Sequence, residues 1–224
     1  ILCAIVLIYL LILSGERTSF FLSLCYIMTL ILVLPKSLLN KLKIFSLFIL
    51  TMIFIFNYNN NFSDRLFNIT KINIKSFVIA KNNDKKNILS LSRVHDDHYA
   101  AGIKMFKDNI LFGQGLKMFR IKCSEEKFNV GIFSCATHPH NIIIQFLAEL
   151  GIVGILFLIY FYFSLFLTIK KITKNNSLIN STTVLVFLIF FPLLPYGNFF
   201  HNGLVIMNIL SISILWCLCN DDNK

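Results

Sequence analysis

The sequence predicts an all-α membrane protein with about six transmembrane helices, the first truncated, and one large extramembrane loop carrying short helices. Three observations lead there. Of 224 residues, 56% are hydrophobic and only 14% charged, where a soluble domain runs near 45–50% and about 25%. The apolar residues are gathered into long runs rather than spread at helical or strand spacing. One polar stretch of about 85 residues, 57–141, divides those runs into two groups. Disorder is excluded, because 24 Phe and abundant Ile and Leu can bury ample surface. Nine Gly and four Pro are too few for a linker-dominated or collagen-like chain.

A spanning helix needs about 20 mostly apolar residues, each adding roughly 1.5 Å against a hydrocarbon core of about 30 Å. Six runs fit: Ile1–Leu13, Thr18–Leu34, Leu38–Phe56, Ile142–Ile169, Leu178–Pro195 and Phe199–Cys219. The chain opens inside the first run with no basic segment before it, which is not the pattern of a secretory signal. We expect that run to be the middle of a membrane helix and the chain to continue upstream. Lys41 and Lys43 intrude on the third run and must snorkel to an interface. The expected organisation is membrane helices over 1–56, a loop over 57–140, membrane helices over 141–219 and a short tail over 220–224.

Lys36, Lys41 and Lys43 lie between runs two and three, and Lys170, Lys171 and Lys174 between runs four and five. Positive charge in short loops marks the cytoplasmic side, so the long loop is expected on the outer side. That loop carries 13 Lys and Arg against 7 Asp and Glu, which suits an anionic lipid partner at the bilayer surface rather than nucleic acid. Cys3, Cys25, Cys217 and Cys219 fall in apolar runs and read as packing residues. Cys123 and Cys135 fall in the loop, where an oxidising compartment permits a disulfide. Bridging them would contribute roughly 3 kcal/mol by closing a loop of about 13 residues; two unrelated thiols is the competing reading.

Four segments could carry chemistry. Ser14-Gly15-Glu16-Arg17 is either an interfacial anchor neutralised by Glu16 or a phosphate clamp, since a guanidinium fork matches phosphate oxygens. Leu91–Tyr99 holds Arg93, His95, Asp96, Asp97 and His98, followed by a short amphipathic helix over Ala100–Phe106 and a Gly-rich turn at Gly113-Gln114-Gly115. All four of His95, Asp96, Asp97 and His98 can bind metals, but adjacent aspartates cannot both face a site with the two histidines on a regular helix. Substrate contact or a solvated face fits that segment better. The third segment, Cys135-Ala-Thr-His-Pro-His-Asn141, leads into a helix on which Asn141, Gln145 and Glu149 share one face. Such a stripe normally faces a bundle interior or a wet cavity. His138 and His140 at its head can accept protons near neutral pH, and Gly151 and Gly154 permit close backbone approach. The fourth, Pro192 to His201, breaks an apolar run and is read as an outer turn.

His140-Asn141, nine residues, then Gly151-x-x-Gly154 resembles the signature of the O-antigen ligase and polymerase family. Thr137-His-Pro-His-Asn141, Phe112-Gly-Gln-Gly-Leu-Lys-Met-Phe-Arg120 with Cys123, and Ser14-Gly-Glu-Arg17 are similar to family segments in the same order. The resemblance implies a polytopic enzyme of the bacterial inner membrane, of which this chain is the C-terminal half, with its active site facing the periplasm. It implies transfer of a glycan from undecaprenyl diphosphate to a lipid A core hydroxyl, or to another carrier-linked repeat unit in the polymerases. Neither metal nor other cofactor is expected. Arg17, with Arg93 or Arg120, would steady the diphosphate, and His140, assisted by His138, would handle the acceptor hydroxyl. His98, Asn141, Gln145 and Glu149 would contact substrate. A transporter or flippase, and a non-catalytic remnant, are the readings from other classes.

Overall fold

The computed structural model describes residues 10, 17–33, 36–58, 64–72, 74–75, 93–171, 177–192 and 195–221. Among the described residues the regular elements are all helical: α1 (Arg17–Val33), α2 (Leu38–Tyr58), a short π-helical turn (Asp64–Ile69), α3 (Arg93–Asp108), α4 (Phe119–Lys122), α5 (Ile142–Lys171), α6 (Ser177–Ile189) and α7 (Asn202–Asp221). Two of these, over Ile142–Leu167 and Asn202–Asn220, are long and apolar enough to cross a membrane. The expected runs at 18–34, 38–56 and 178–195 become helices of 17, 21 and 13 residues. The first run, save Leu10, lies outside the described residues.

The chain divides into two units, Ile1–Asn73 with Asn175–Phe190 and Ile214–Lys224, and Ile74–Lys174 with Phe191–Ser213. In the first, α1 packs against α2 and α6, and Phe20, Ile31, Ile179 and Val186 are buried. Two hydroxyls within these apolar helices bond back to their own backbone, Thr29 to the Cys25 carbonyl and Thr182 to the Leu178 carbonyl, whereas the buried Thr183 hydroxyl has no hydrogen-bond partner. Lys41 Nζ donates to the Leu32 carbonyl at 2.6 Å. The intruding cation therefore closes the negative C-terminal end of α1. α6 stops at Ile189, short of the expected Pro195, because Pro192 has no N–H to continue the ladder.

The second unit holds α3, α4, α5 and the start of α7. Its core is Ala101 and Met105 of α3, Phe119 of α4, Cys123, Phe128 and Ala148 of α5. A second cluster, Ile142, Phe146 and Leu158, is closed by Phe199 and Phe200. α3 runs from Arg93, seven residues before the expected Ala100, and so carries the whole His-Asp-Asp-His segment. It lies tight on α5 because Gly102 has no side chain: a Cβ there would sit 2.5 Å from Ile144 Cγ2.

Loop and helix also interlock through main chain. α5 breaks at Gly151 (φ 63°, ψ −151°). Before the break, the Ala148 and Glu149 carbonyls accept from Gln114 and Gly115 N–H at 2.8 and 2.9 Å. After it, Ile152 and Val153 N–H donate to the Ile110 and Leu111 carbonyls at 2.8 and 3.3 Å. A Cβ on Gly113 would lie 2.5 Å from the Glu149 carbonyl carbon, and one on Gly151 would lie 2.5 Å from the Ile110 oxygen. Close approach at Gly151 is thus to a loop backbone, whereas the atoms nearest a Cβ on Gly154 belong to the Leu150 side chain.

Candidate functional site

The packing of α3 on α5 sets the site, since it brings the first turns of both helices together. On α3, His95, His98 and Tyr99 fall at i, i+3 and i+4 and share one face. Asp97 points elsewhere, accepting from Phe133 N–H at 3.3 Å. This separates the aspartate from the histidines, as regular helix geometry demands.

The other half is the entry to α5. Cys135 is disulfide-bonded to Cys123, with a Cα–Cα distance of 5.2 Å, and Cys123 is fully buried in the core. The bridge therefore anchors the start of the His138-Pro139-His140 segment. Asn141 caps α5, its Oδ1 accepting from Ile144 N–H at 3.1 Å, the preferred chemistry at that position. Its Nδ2 donates to the Pro192 carbonyl at 3.0 Å, and its side chain also meets the Tyr99 hydroxyl. His140 adopts φ 58°, unusual for a residue with a side chain, and its carbonyl accepts from Tyr196 N–H at 2.9 Å.

Four imidazoles meet as a result. His140 lies 4.0 Å from His138, 5.3 Å from His95 and 5.4 Å from His98 between ring centroids. His95 in turn stacks on Tyr99 at 6.2 Å. His138 is held at both nitrogens: Nε2 and the Tyr196 carbonyl are 3.1 Å apart, Nδ1 and Thr137 Oγ1 2.8 Å. A carbonyl only accepts, so Nε2 carries the proton and Nδ1 accepts from the Thr137 hydroxyl. His98 is 4% exposed. One of its nitrogens donates to the Cys135 carbonyl, while Nδ1 is buried without a hydrogen-bond partner.

Burial, then the neighbouring imidazoles, push both His98 and His138 down to about 4. Both are therefore neutral at pH 7. Burial, then the Asp96 charge, raises Tyr99, which stays a phenol. A proton on any one of these rings disfavours a proton on its neighbours. Among the described residues, no group of three or more His, Cys, Asp or Glu side chains is disposed to hold a metal ion.

The expected polar stripe exists, but the chain's own groups occupy it. Gln145 Nε2 donates to Asn198 Oδ1 at 2.8 Å and to Glu149 Oε2 at 3.2 Å, while its Oε1 accepts from Phe199 N–H at 3.0 Å. Glu149, fully buried, accepts from Phe119 N–H at 3.1 Å and has the Arg120 charge nearby. These side chains tie the helix to the 196–200 turn and to α4. Of the two surroundings expected for the stripe, a bundle interior or a wet cavity, Gln145 and Glu149 meet protein, because buried backbone donors need acceptors.

The expected site residues distribute as follows. His98, His138, His140 and Asn141 come together at the head of α5. Gln145 and Glu149 lie further along the same helix, and Arg120 is exposed on α4. Arg17 begins α1 and Arg93 begins α3; their side chains, and Ser14–Glu16, lie outside the described residues. His201 is exposed and its N–H donates to the Asn198 carbonyl at 2.9 Å, so it serves the turn. Tyr196 and Asn198, which spacing did not single out, tie the far turn to His138, His140 and Gln145.

The sequence model of a family described as O-antigen ligase matches residues 2–159. No curated protein and no solved structure matches the chain.

Proposed function

We propose that this chain, which belongs to the O-antigen ligase family, transfers a glycan from undecaprenyl diphosphate to an acceptor hydroxyl at the periplasmic face of the bacterial inner membrane. The observation that carries this reading is the convergence of His95, His98, His138 and His140 at the head of α5. An acceptor hydroxyl attacking the anomeric carbon must lose its proton as the bond to the diphosphate oxygen breaks. His140 is the candidate base: its ring touches three other rings, and its backbone is fixed by the Asn141 cap and the Tyr196 bond. His138, locked at both nitrogens, positions His140. The buried Nδ1 of His98, left without a partner, is a second proton acceptor beside it. Keeping His98 and His138 neutral leaves capacity for the single proton the reaction delivers.

The diphosphate leaves with growing negative charge, and fixed cations aimed at it lower the barrier. We assign that charge to Arg17 and Arg93. Arg93 begins the helix that carries His95 and His98, two residues from the former, whereas the Arg120 charge acts on the structural Glu149. Attack opposite the diphosphate inverts the anomeric carbon. Asn141, Gln145 and Glu149 act through the backbone they hold, not through substrate.

The test is transfer by the purified full-length protein, given diphosphate-linked glycan and a lipid A core acceptor. One ligated chain per acceptor is expected, with Arg17→Ala and Arg93→Ala each reduced on the order of 100-fold. A ladder of lengthening chains on the carrier without acceptor would assign the polymerase reaction instead. Wild-type transfer by both arginine variants would overturn the cation assignment.

A further inference from the structure

Opposite the histidine end, the loop that interlocks with α5 presents an apolar rim to the outside. Ile110, Leu111, Phe112, Leu116 and Ile121 are all exposed, Phe112 at 67%. A soluble surface seldom gathers large apolar side chains in this way. Their place in the fold is fixed. Ile110 and Leu111 carbonyls are bonded to Ile152 and Val153, and Gln114 and Gly115 to Ala148 and Glu149. The rim is therefore held at the Gly151 break. Ile152 and Val153 are themselves exposed and begin the apolar surface of α5 that continues through Leu156, Phe157, Ile159, Tyr160 and Phe163. From Ile152 to Lys171 the helix has 20 residues, enough at about 1.5 Å each to cross the hydrocarbon core unaided. The apolar span reaches back to Ile142, but a crossing made by the segment after the break would set Gly151, and the rim bonded to it, at the edge of the bilayer. Across Lys107–Lys122 the cations Lys107, Lys117, Arg120 and Lys122 face a single acid, Asp108.

We propose that this rim is a membrane-docking edge, with Phe112 and Leu116 seated in the interfacial layer of a phospholipid bilayer and the flanking cations among its phosphates. Apolar area continuous with a lipid-facing helix, bordered by Lys and Arg, is the pattern of an interfacial element. Docking would hold the loop, and through the interlock the α5 break, at a fixed height on the bilayer. The proposal stands independently of the transfer reaction.

Tryptophan is the natural probe, because Trp216 is the only one in the chain. In a Trp216→Phe background, Phe112→Trp, Leu116→Trp and, as a water-exposed control, Glu126→Trp would be reconstituted as full chains into phosphatidylethanolamine and phosphatidylglycerol vesicles. Part of the lipid would carry brominated acyl chains. All three positions are exposed, so the substitutions leave the core intact. Expected is blue-shifted emission at 112 and 116, quenched at least twofold more by brominated lipid than emission at 126, with the order reversed for aqueous acrylamide. Unshifted, acrylamide-quenched emission at 112 and 116 would overturn the proposal. So would emission shielded from both quenchers, which would mean that a protein covers the rim.

Discussion

Replacing Gly151 by Ala should unfasten the interlock that fixes α5. At φ 63° and ψ −151° a residue with a side chain carries about 1–3 kcal/mol of backbone strain. The added Cβ would also press against main-chain atoms, the Ile110 oxygen at 2.5 Å and the Leu111 carbonyl at 2.6 Å, which cannot turn aside as a side chain could. Relief requires the loop to separate, giving up the Ile152–Ile110 and Val153–Leu111 hydrogen bonds, each about 0.5–1.5 kcal/mol net. Together these give a cost of about 2–6 kcal/mol. Even the low end is a roughly thirtyfold change in an opening equilibrium. Hydrogen exchange read by mass spectrometry on peptides covering 110–115 and 148–153 measures that opening. Gly203→Ala is the control, since its Cβ would meet only the His201 ring at 3.5 Å, and protection there should be unchanged. Equal protection in Gly151→Ala and wild type would refute the interlock.

Other consequences follow from the same contacts. His98 and His138 stay neutral in the fold down to about pH 4, while unfolded imidazoles protonate near 6.5. The unfolded chain therefore binds more protons in between, so stability is full above about pH 6.5 and falls as pH drops toward 4. Thermal unfolding at pH 7.5 and 5 should show a lower midpoint at pH 5, with a smaller difference in His138→Gln. Reducing the Cys123–Cys135 bond should destabilise this unit by about 3 kcal/mol from loop closure alone, read as a lower denaturation midpoint with reductant. Gln145→Ala removes the acceptor of the Phe199 N–H and one of the donors to Asn198 Oδ1; exchange across 196–200 should speed up at least tenfold while 110–115 stays protected. Asn141→Asp should keep the helix cap and lose the donor to Pro192, loosening the 190s turn without unwinding α5.

Much of this was legible in the residues. Apolar runs located α1, α2, α5 and α7 to within a few residues, because lipid-facing and core-facing positions are both apolar and need no periodicity. The head of α5 was legible for a local reason: Pro139 and Asn141 are chemically suited to start a helix. What spacing could not supply was partners. For Gln145 and Glu149 a bundle interior and a wet cavity both stayed open, because periodicity tells which side chains share a face, not what lies opposite; the turn at 196–200 and the start of α4 fill that space. His95 and His98 looked like loop residues, since their segment is polar. Only tertiary contact through Gly102 turns it into a helix against α5. The glycines at 113 and 151 read as separate turn and packing signals, although each is needed for the other's backbone.

The account turns on His140 receiving the acceptor's proton. Single-turnover transfer by His140→Ala, with and without added imidazole, tests that most directly. The expected result is a loss of about 100- to 10,000-fold, the usual range for a general base, with partial recovery when imidazole is supplied. Transfer at the wild-type rate by His140→Ala would contradict it.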